Sequence, residues 1–490
     1  MISNLQVIAL LPQLLSNLLA VLVMALIAVR RDHRLIATVT ALGLAAALAS
    51  VPYAATAGPQ AATALFVADG LTQFYAALIL VAALGTSLLL WGYLDDLPGN
   101  REELYLLLSL AVAGALTLVA ARHLASFFIG LELMSIPMYG MAGYFFAHRR
   151  GVEGVTKYLV LSGAATAFLL FGMALLYAAA GHLDFAGLAA LPSGGSAPDG
   201  WLAPVGGALV LVGIAFKLSL APFHQWTLDV YEDAPAPVGA FLATVGKVAV
   251  AGVLLRLLAE SGVLDPGARY PSGAALDLLG VLALVAVASI LIGNLLALRQ
   301  QNLKRLLAAS STAHFGYLLV AIVAGGALAR EAAGMYLAAY VATTLGAFGV
   351  ISALSRSGAG QDVETLGALR GLAARSPFLA LALTVMLLSL SGMPLTAGFI
   401  GKFSVIVAGS AAGLWLLLGT VVLGSAIGLA YYLRVIAAIH AAPEPGDRPL
   451  RAHRGGAVTV AFALIAVLAI GLWPQPLLAV LQQATVAHLP

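Results

Sequence analysis

The chain is built from long apolar segments that are separated by short polar ones. Runs of about 20 apolar residues, enough helix to cross a hydrocarbon core of roughly 30 Å, recur along nearly all of the 490 residues. A helix satisfies its own backbone hydrogen bonds in lipid, so these runs predict membrane spans. We predict fourteen spans, near residues 5–29, 35–55, 70–92, 104–121, 123–147, 154–180, 202–231, 238–259, 276–298, 304–325, 332–355, 377–410, 413–438 and 457–475.

Two of these spans are too long to cross once as straight helices. At the helical rise per residue, 202–231 would extend about 45 Å and 377–410 about 51 Å. Each contains a breaker, Pro222 in the first and Gly392 with Pro394 in the second. Unwound backbone at membrane depth is tolerated only where protein or a wet cavity surrounds it. Interrupted spans therefore indicate a transport site.

The interrupted spans also reveal a repeat. Each is the fourth of five, in spans 4 to 8 and again in spans 9 to 13. A unit with an odd number of spans begins its second copy from the opposite face, so we expect inverted repeats. The predicted fold class is an all-α polytopic membrane protein with about 14 transmembrane helices, two inverted five-helix repeats and broken helices 7 and 12. We expect a single transmembrane domain, 1–490, made of three N-terminal spans (1–100), repeat one (101–260), repeat two (275–440) and a last span with its tail (455–490).

Composition supports a membrane protein without redox chemistry of its own. Hydrophobic residues make up 62% of the chain and charged residues 9%, against about 25% charged residues in a soluble domain. The absence of cysteine excludes disulfides, thiolate-bound zinc, cysteine-held iron–sulfur clusters and thioether-linked haem. The isolated glycines are interpreted as close helix packing rather than as a nucleotide loop. We therefore expect no cofactor bound by this chain.

The basic residues are distributed unevenly between the two sets of loop ends. Sixteen of the 24 Lys and Arg residues, including Lys304 and Arg305, fall in one set. The opposite set holds four. By the positive-inside rule the first set is cytoplasmic, which predicts that both termini are periplasmic.

Four of the five lysines lie within predicted spans, and Glu132 lies equally deep. Charged groups in hydrocarbon are expensive, so each is a candidate functional residue. Burial lowers the pKa of a lysine and raises that of a carboxylic acid, whereas a nearby opposite charge restores both ionised forms. A buried lysine and a buried carboxylic acid can therefore exchange protons after small changes in spacing or hydration. Arginine, in contrast, practically never loses its proton. Glu132, Lys217, Lys247 and Lys402 therefore form a candidate proton path.

The other polar groups within or next to the spans each have two alternative interpretations. Lys157 lies near the predicted cytoplasmic end of its span and either relays protons or snorkels to the interface. His224 lies in the break of span 7 and either relays protons or is a satisfied helix-break histidine. His314 likewise either relays protons or makes a hydrogen bond between helices. The acidic cluster of Asp229, Glu232 and Asp233 is interpreted as a solvated cytoplasmic turn. The alternative is a proton antenna or an edge at which a partner docks.

Four segments carry a family resemblance that covers nearly the whole chain. Residues 131–139, 217–226, 294–305 and 392–403 resemble, in this order, motifs of the antiporter-like membrane subunits of respiratory complex I. The resemblance implies fourteen spans, inverted five-helix repeats and a place in a proton-pumping membrane arm. It also implies functional roles for the following residues: Glu132, Lys217, Lys247 and Lys402 as the essential charges, and Lys157 and His224 as further polar positions.

The function expected from this resemblance is proton translocation within a bacterial NADH:quinone oxidoreductase of the inner membrane. Other complex I membrane subunits would be the partners, without nucleic acid, and NADH, FMN, iron–sulfur clusters and quinone would be bound by partner subunits. Protonation of Lys217, set by pairing with Glu132, would be coupled through Lys247 to Lys402. Two alternatives stay open: a subunit of a stand-alone Na⁺/H⁺ antiporter of the Mrp type, and a structural scaffold whose lysines only tie helices together.

Overall fold

The computed structural model describes residues 3–95, 99–144, 149–190, 200–264, 278–355, 362–443 and 454–486. These residues are almost entirely helical. The helices are α1 (Asn4–Ala9), α2 (Leu11–Val29), α3 (His33–Ala55), α4 (Gly70–Leu94), α5 (Glu103–Val119), α6 (Leu124–Ala142), α7 (Arg149–Ala180), α8 (Leu202–Lys217), α9 (Gln225–Asp233), α10 (Ala236–Glu260), α11 (Leu278–Leu298), α12 (Leu303–Ala324), α13 (Gly326–Leu354), α14 (Leu372–Arg375), α15 (Pro377–Ser391), α16 (Ala397–Ala411), α17 (Trp415–His440), α18 (Arg454–Leu472) and α19 (Gln475–Val486). A short antiparallel pair, β1 (Gln60–Ala61) with β2 (Val67–Ala68), lies between α3 and α4.

The helices account for the predicted spans. Within the described ranges, eleven helices are long and apolar enough to cross a membrane. The shorter apolar helix α5 supplies a twelfth span, and two broken spans, α8 with α9 and α15 with α16, complete fourteen. The predicted fold class, with broken helices 7 and 12, is confirmed. The residue bounds of the two repeats stay predictions.

Three helices form the centre of the bundle. The span windows of α10 and α12 are 100% buried and that of α13 is 94% buried, whereas those of α2, α3, α7, α11 and α17 are each 39% buried. The outer helices expose large apolar side chains such as Leu18 and Phe171, which suits a surface that faces lipid. Polar groups on the central helices are therefore shielded from lipid by a layer of protein.

The break of span 7 is supported by contacts from neighbouring segments. Helix α8 ends at Lys217, and Ser219 then takes a left-handed conformation with φ of 59°. The indole Nε1 of Trp226 donates to the carbonyl oxygen of Phe216 at 3.0 Å. The backbone N–H of Ala221 donates to Ser289 Oγ of α11 at 2.9 Å. These bonds supply the partners that an unwound segment needs where water is scarce.

The break of span 12 depends on glycine at two positions. Gly392 ends α15 with φ of 88°, a conformation that side chains rarely adopt. Gly398, the second residue of α16, lies so close to α15 that a Cβ atom there would be 1.8 Å from the carbonyl oxygen of Ser389. Its backbone N–H donates to Ser389 Oγ at 3.0 Å. The two half-helices are therefore joined by direct backbone contact.

We expect Gly398→Ala to destabilise the protein strongly, because the added methyl group forces α15 and α16 apart. Gly207→Ala in α8 is the matched control, since a Cβ there meets nothing within 4 Å. The measurement is the amount of protein in membranes and its unfolding temperature in detergent. Equal heat stability of the two variants would contradict the close packing at Gly398.

Candidate functional site

Lys217 is the last residue of α8 and is buried among hydroxyl groups. Its Nζ donates to Ser135 Oγ at 2.7 Å and to Tyr139 Oη at 3.3 Å, both on α6. It also donates to Ser162 Oγ of α7 at 2.8 Å. An ammonium group has three donors, and all three are used here. Hydroxyl groups thus replace the water that this amine would otherwise bind.

Glu132 lies one helical turn before Ser135 on α6 and is half-buried. Its Oε1 accepts a hydrogen bond from Thr166 Oγ1 of α7 at 2.9 Å. The carboxylate acts on Lys217 electrostatically but does not contact it. Among the described residues, Glu132 and Lys217 make no ion pair, and hydroxyl groups occupy the donors of Lys217.

Lys247 lies in the centre of α10 and is 1% exposed. Its Nζ donates to Ser311 Oγ of α12 at 2.6 Å and lies 3.4 Å from the carbonyl oxygen of Leu218 in the break of span 7. The Phe315 ring lies below it, with 4.8 Å from Nζ to the ring centroid. Tyr340 Oη donates to the same Ser311 Oγ at 2.7 Å. Lys247 thus connects the first break with the polar groups of the second half.

Lys402 belongs to α16 and turns back onto the end of α15. Its Nζ donates to the carbonyl oxygen of Ser391 at 2.9 Å. The Nζ also lies 5.0 Å from the ring centroid of Tyr317, a cation–π distance. The carbonyl end of a helix carries partial negative charge, so it stabilises a cation. Lys402 therefore contacts the second break much as Lys247 contacts the first.

His314 lies between Lys247 and Lys402 and is bonded at both ring nitrogens. Nδ1 lies 2.6 Å from Tyr336 Oη of α13, and Nε2 lies 3.2 Å from Tyr432 Oη of α17. Tyr432 also makes a short hydrogen bond with Ser310, one turn before His314. The interhelical hydrogen bonds that the sequence allowed for His314 are thus present.

A small cavity separates His314 from Lys402. Its volume is about 10 Å³, close to the smallest space that holds one water molecule. The residues that line it include His314, Tyr336, Tyr340, Thr343, Ser389 and Lys402, together with Ala339, Leu390 and Gly398. His314 and Lys402 thus border the same small space.

Lys157 and His224 lie apart from this row of groups. Lys157 is 44% exposed and pairs with Glu153 at 2.8 Å and Asp229 at 3.0 Å. It therefore reaches out of its span, as the snorkelling alternative describes. His224 is half-buried at the start of α9, and its Nδ1 has no hydrogen-bond partner among the described residues.

The acidic group at the end of span 7 is a correction to the sequence interpretation. Asp229, Glu232 and Asp233 lie on helix α9, not in a solvated turn. Arg305 of α12 donates to Asp229 at 2.9 Å and to Glu232 at 2.5 Å. Asp229 thereby bridges Lys157 of α7 and Arg305 of α12.

Lys304, which the sequence places among the basic residues at the loop ends, is buried in the structure. Its side chain is 3% exposed and pairs with Asp362 at 2.7 Å and Glu364 at 3.2 Å. It also donates to the carbonyl oxygen of Ala234, next to the end of α9, at 2.9 Å. The acids follow α13 in the chain, so only folding brings them to Lys304.

The residues that the sequence interpretation missed are uncharged. Serine and tyrosine occur singly in apolar spans without drawing notice, but several are spaced by four residues and so share a helix face. This spacing was the available signal. The pairs are Ser135 with Tyr139 and Tyr336 with Tyr340, and Ser310 has the same spacing from His314, which the sequence analysis did single out.

A helix bundle with two broken spans and a row of buried lysines defines an antiporter-like membrane protein. The family model described as "NADH:quinone oxidoreductase/Mrp antiporter, TM" matches residues 121–428, and the chain belongs to this family. The chain is 51% identical to NADH-quinone oxidoreductase subunit N of Ectopseudomonas mendocina, over 98% of this chain and 97% of the relative. The family resemblance drawn from the four motifs is confirmed.

Solved structures support the same assignment. A chain of respiratory complex I from Thermus thermophilus with bound aureothin is 35% identical, with a TM-score of 0.80 over 96% of this chain and 100% of that one. A chain of the Mrp complex from Dietzia sp. DQ12-45-1b has a TM-score of 0.84 over 99% of this chain and 97% of that one. The second likeness, at 24% identity, concerns the fold alone.

We expect Lys304→Ala to lower the free energy of unfolding by about 3–5 kcal/mol, because it leaves Asp362 buried without its partner. The measurement is heat stability of the purified complex in detergent. Arg30→Ala is the control, since Arg30 is 72% exposed and its pair with Asp32 contributes little. Replacing both partners, in Lys304→Gln with Asp362→Asn, should recover part of the loss. Wild-type heat stability of Lys304→Ala would contradict a stabilising role for the buried ion pair of Lys304 with Asp362.

Proposed function

We propose that this chain acts as the N subunit of a bacterial NADH:quinone oxidoreductase and moves protons through Glu132, Lys217, Lys247 and Lys402. The observation that carries the proposal is the environment of the three lysines. Each is buried, and each is bonded to hydroxyl or carbonyl groups instead of to a carboxylate. The high identity to subunit N supports the place of the chain in the complex.

Hydroxyl partners suit a lysine that changes its protonation state. A hydroxyl group accepts a hydrogen bond from an ammonium group and can turn to donate one to the neutral amine. A carboxylate contact would instead favour the charged form strongly. The hydroxyls around Lys217 and the Ser311 hydroxyl at Lys247 thus support both states.

The contacts outline a route. Lys217 and Lys247 meet at the break of span 7, where Lys247 reaches the carbonyl oxygen of Leu218, the residue after Lys217. This carbonyl group positions Lys247 and does not itself carry a proton. From Lys247 the hydrogen bonds continue through Ser311 to Tyr340. Tyr340 shares the small cavity with His314 and Lys402. Proton transfer would therefore run along the middle of the bundle, with the cavity as its last step before Lys402.

His314 is added to the proposed path on geometric grounds. A neutral imidazole has one donating and one accepting nitrogen, and each nitrogen here has a tyrosine hydroxyl as partner. A proton received at one nitrogen can be matched by a proton released at the other. Lys157 would serve the entrance by ion pairing with Asp229, and His224 would remain a nearby polar group in the break.

The rest of the assembly follows from the proposed role. NADH, FMN, iron–sulfur clusters and quinone would be bound by partner subunits; for the iron–sulfur clusters, the absence of cysteine from this chain supports this. Within the described residues no cluster of His, Asp and Glu is arranged to hold a metal ion. Redox energy would reach the lysines as a conformational or electrostatic change. Both termini would lie on the periplasmic side, as the distribution of basic residues predicts.

We expect Lys217→Arg to abolish or sharply reduce NADH-driven proton pumping in membrane vesicles. Arginine keeps the positive charge but practically cannot release its proton. Lys157→Arg is the matched comparison, because an ion pair survives with arginine and pumping should persist. The measurement is vesicle acidification together with NADH oxidation. Normal pumping by Lys217→Arg would show that Lys217 does not carry a proton.

Two further variants distinguish the alternative functions. Unimpaired pumping in both Lys217→Ala and Glu132→Ala would leave a scaffold role. Sodium-dependent dissipation of an imposed pH gradient, without NADH, would indicate a stand-alone antiporter. We expect neither result.

A further inference from the structure

Asn294 is a buried amide near the C-terminal end of a lipid-facing helix. It lies on α11, is 1% exposed and belongs to the 294–305 segment, whose lysine and arginine serve the ion pairs described above. A polar side chain inside a membrane protein is costly unless its hydrogen bonds are made within the protein. The partners of Asn294 therefore indicate what it does.

The amide joins three helices. Its Nδ2 donates to the carbonyl oxygen of Ile290 at 2.7 Å and to Tyr317 Oη of α12 at 3.0 Å. Its Oδ1 accepts from Tyr431 Oη of α17 at 3.1 Å. Both ends of the amide are thus used, and two of the three bonds leave α11.

Helix α17 is shaped to cover this amide. A Cβ atom on Gly424 would lie 2.4 Å from Ile290 Cγ2 and 2.7 Å from Tyr317 Oη. A Cβ atom on Gly428 would lie 3.4 Å from Asn294 Oδ1. Any larger side chain at Gly424 would push α17 away from the amide. The glycines and the hydrogen bonds therefore describe one site.

Both tyrosines held by Asn294 lead to the proposed path. The ring of Tyr317 lies under Lys402, with 5.0 Å from Nζ to the centroid. The ring of Tyr431 contacts that of Tyr432, with 4.4 Å between centroids, and Tyr432 bonds His314 at 3.2 Å. Asn294 thus supports both sides of the gap between His314 and Lys402.

We propose that Asn294 is a positioning residue for proton transfer between His314 and Lys402. A cation–π contact requires the cation to lie over the ring face, so its strength depends on how the ring is oriented. Asn294 restrains the Tyr317 ring through its hydroxyl group, and through Tyr431 it restrains the tyrosine that bonds His314. This inference rests on the proposed function and adds a residue that positions the groups on both sides of the gap between His314 and Lys402.

The test uses the assembled complex in membrane vesicles. Asn294→Leu removes the amide but keeps the branching of the side chain, and Tyr317→Phe keeps the ring but removes the hydroxyl group. We expect both variants to assemble and oxidise NADH, with protons pumped per NADH at least halved. Because both remove one shared contact, the double variant should be little worse than the more affected single variant. A purely structural role would change the amount of complex but not this ratio.

Thr420→Val is the control, because the one hydrogen bond that this buried threonine of α17 donates within the described part of the chain goes to Leu416 in its own helix. Unchanged pumping per NADH in Asn294→Leu and Tyr317→Phe, or fully additive losses, would overturn the inference. If Asn294→Leu fails to assemble, Tyr317→Phe decides alone. Lys402→Ala distinguishes failure of the proposed function from failure of the inference about Asn294. Normal pumping by Lys402→Ala refutes the proposed function. Loss of pumping in Lys402→Ala with normal pumping in Tyr317→Phe refutes only the inference about Asn294.

Discussion

The carbonyl groups left free where two membrane helices stop are the constraint on which the rest of the site depends. Such groups carry the negative end of a helix dipole, and in lipid they must find partners within the protein. Lys247 reaches the carbonyl oxygen of Leu218, and Lys402 bonds that of Ser391. Each break stabilises a buried cation, and each cation stabilises a break. The interrupted helices and the lysines are therefore one feature.

Two kinds of charge occur in this protein, and their partners distinguish them. Lys304 and Arg305 contact carboxylates at the end predicted to face the cytoplasm, where ion pairs hold helices together. Lys217 is instead surrounded by hydroxyls, with Glu132 acting from a distance. An ion pair favours one protonation state, whereas hydroxyls accommodate two. This contrast favours structural roles for the first group and proton transfer for the second.

The second half of the bundle depends on small residues as much as on charges. Gly398 lets α15 and α16 meet at their backbones, and Gly424 lets α17 approach the Asn294 amide. Close approach brings tyrosines from α12, α13 and α17 around His314 and the small cavity. Loss of these glycines would separate groups that must lie within hydrogen-bond distance. Backbone packing thus sets the geometry of the polar groups.

The sequence by itself determined the spans, the two breaks and the buried lysines, because apolar length, proline and the cost of a charge in lipid are local properties. Tertiary structure decided the partners. The sequence marked Glu132, Lys217 and Lys304 as charged, but it did not show that hydroxyls bond Lys217 or that two acids from a distant segment pair with Lys304. Serine, tyrosine and Asn294 carry no charge to mark them in an apolar span. Their importance arises only where helices far apart in the chain come together, because a hydrogen bond depends on distance and direction that no single segment contains.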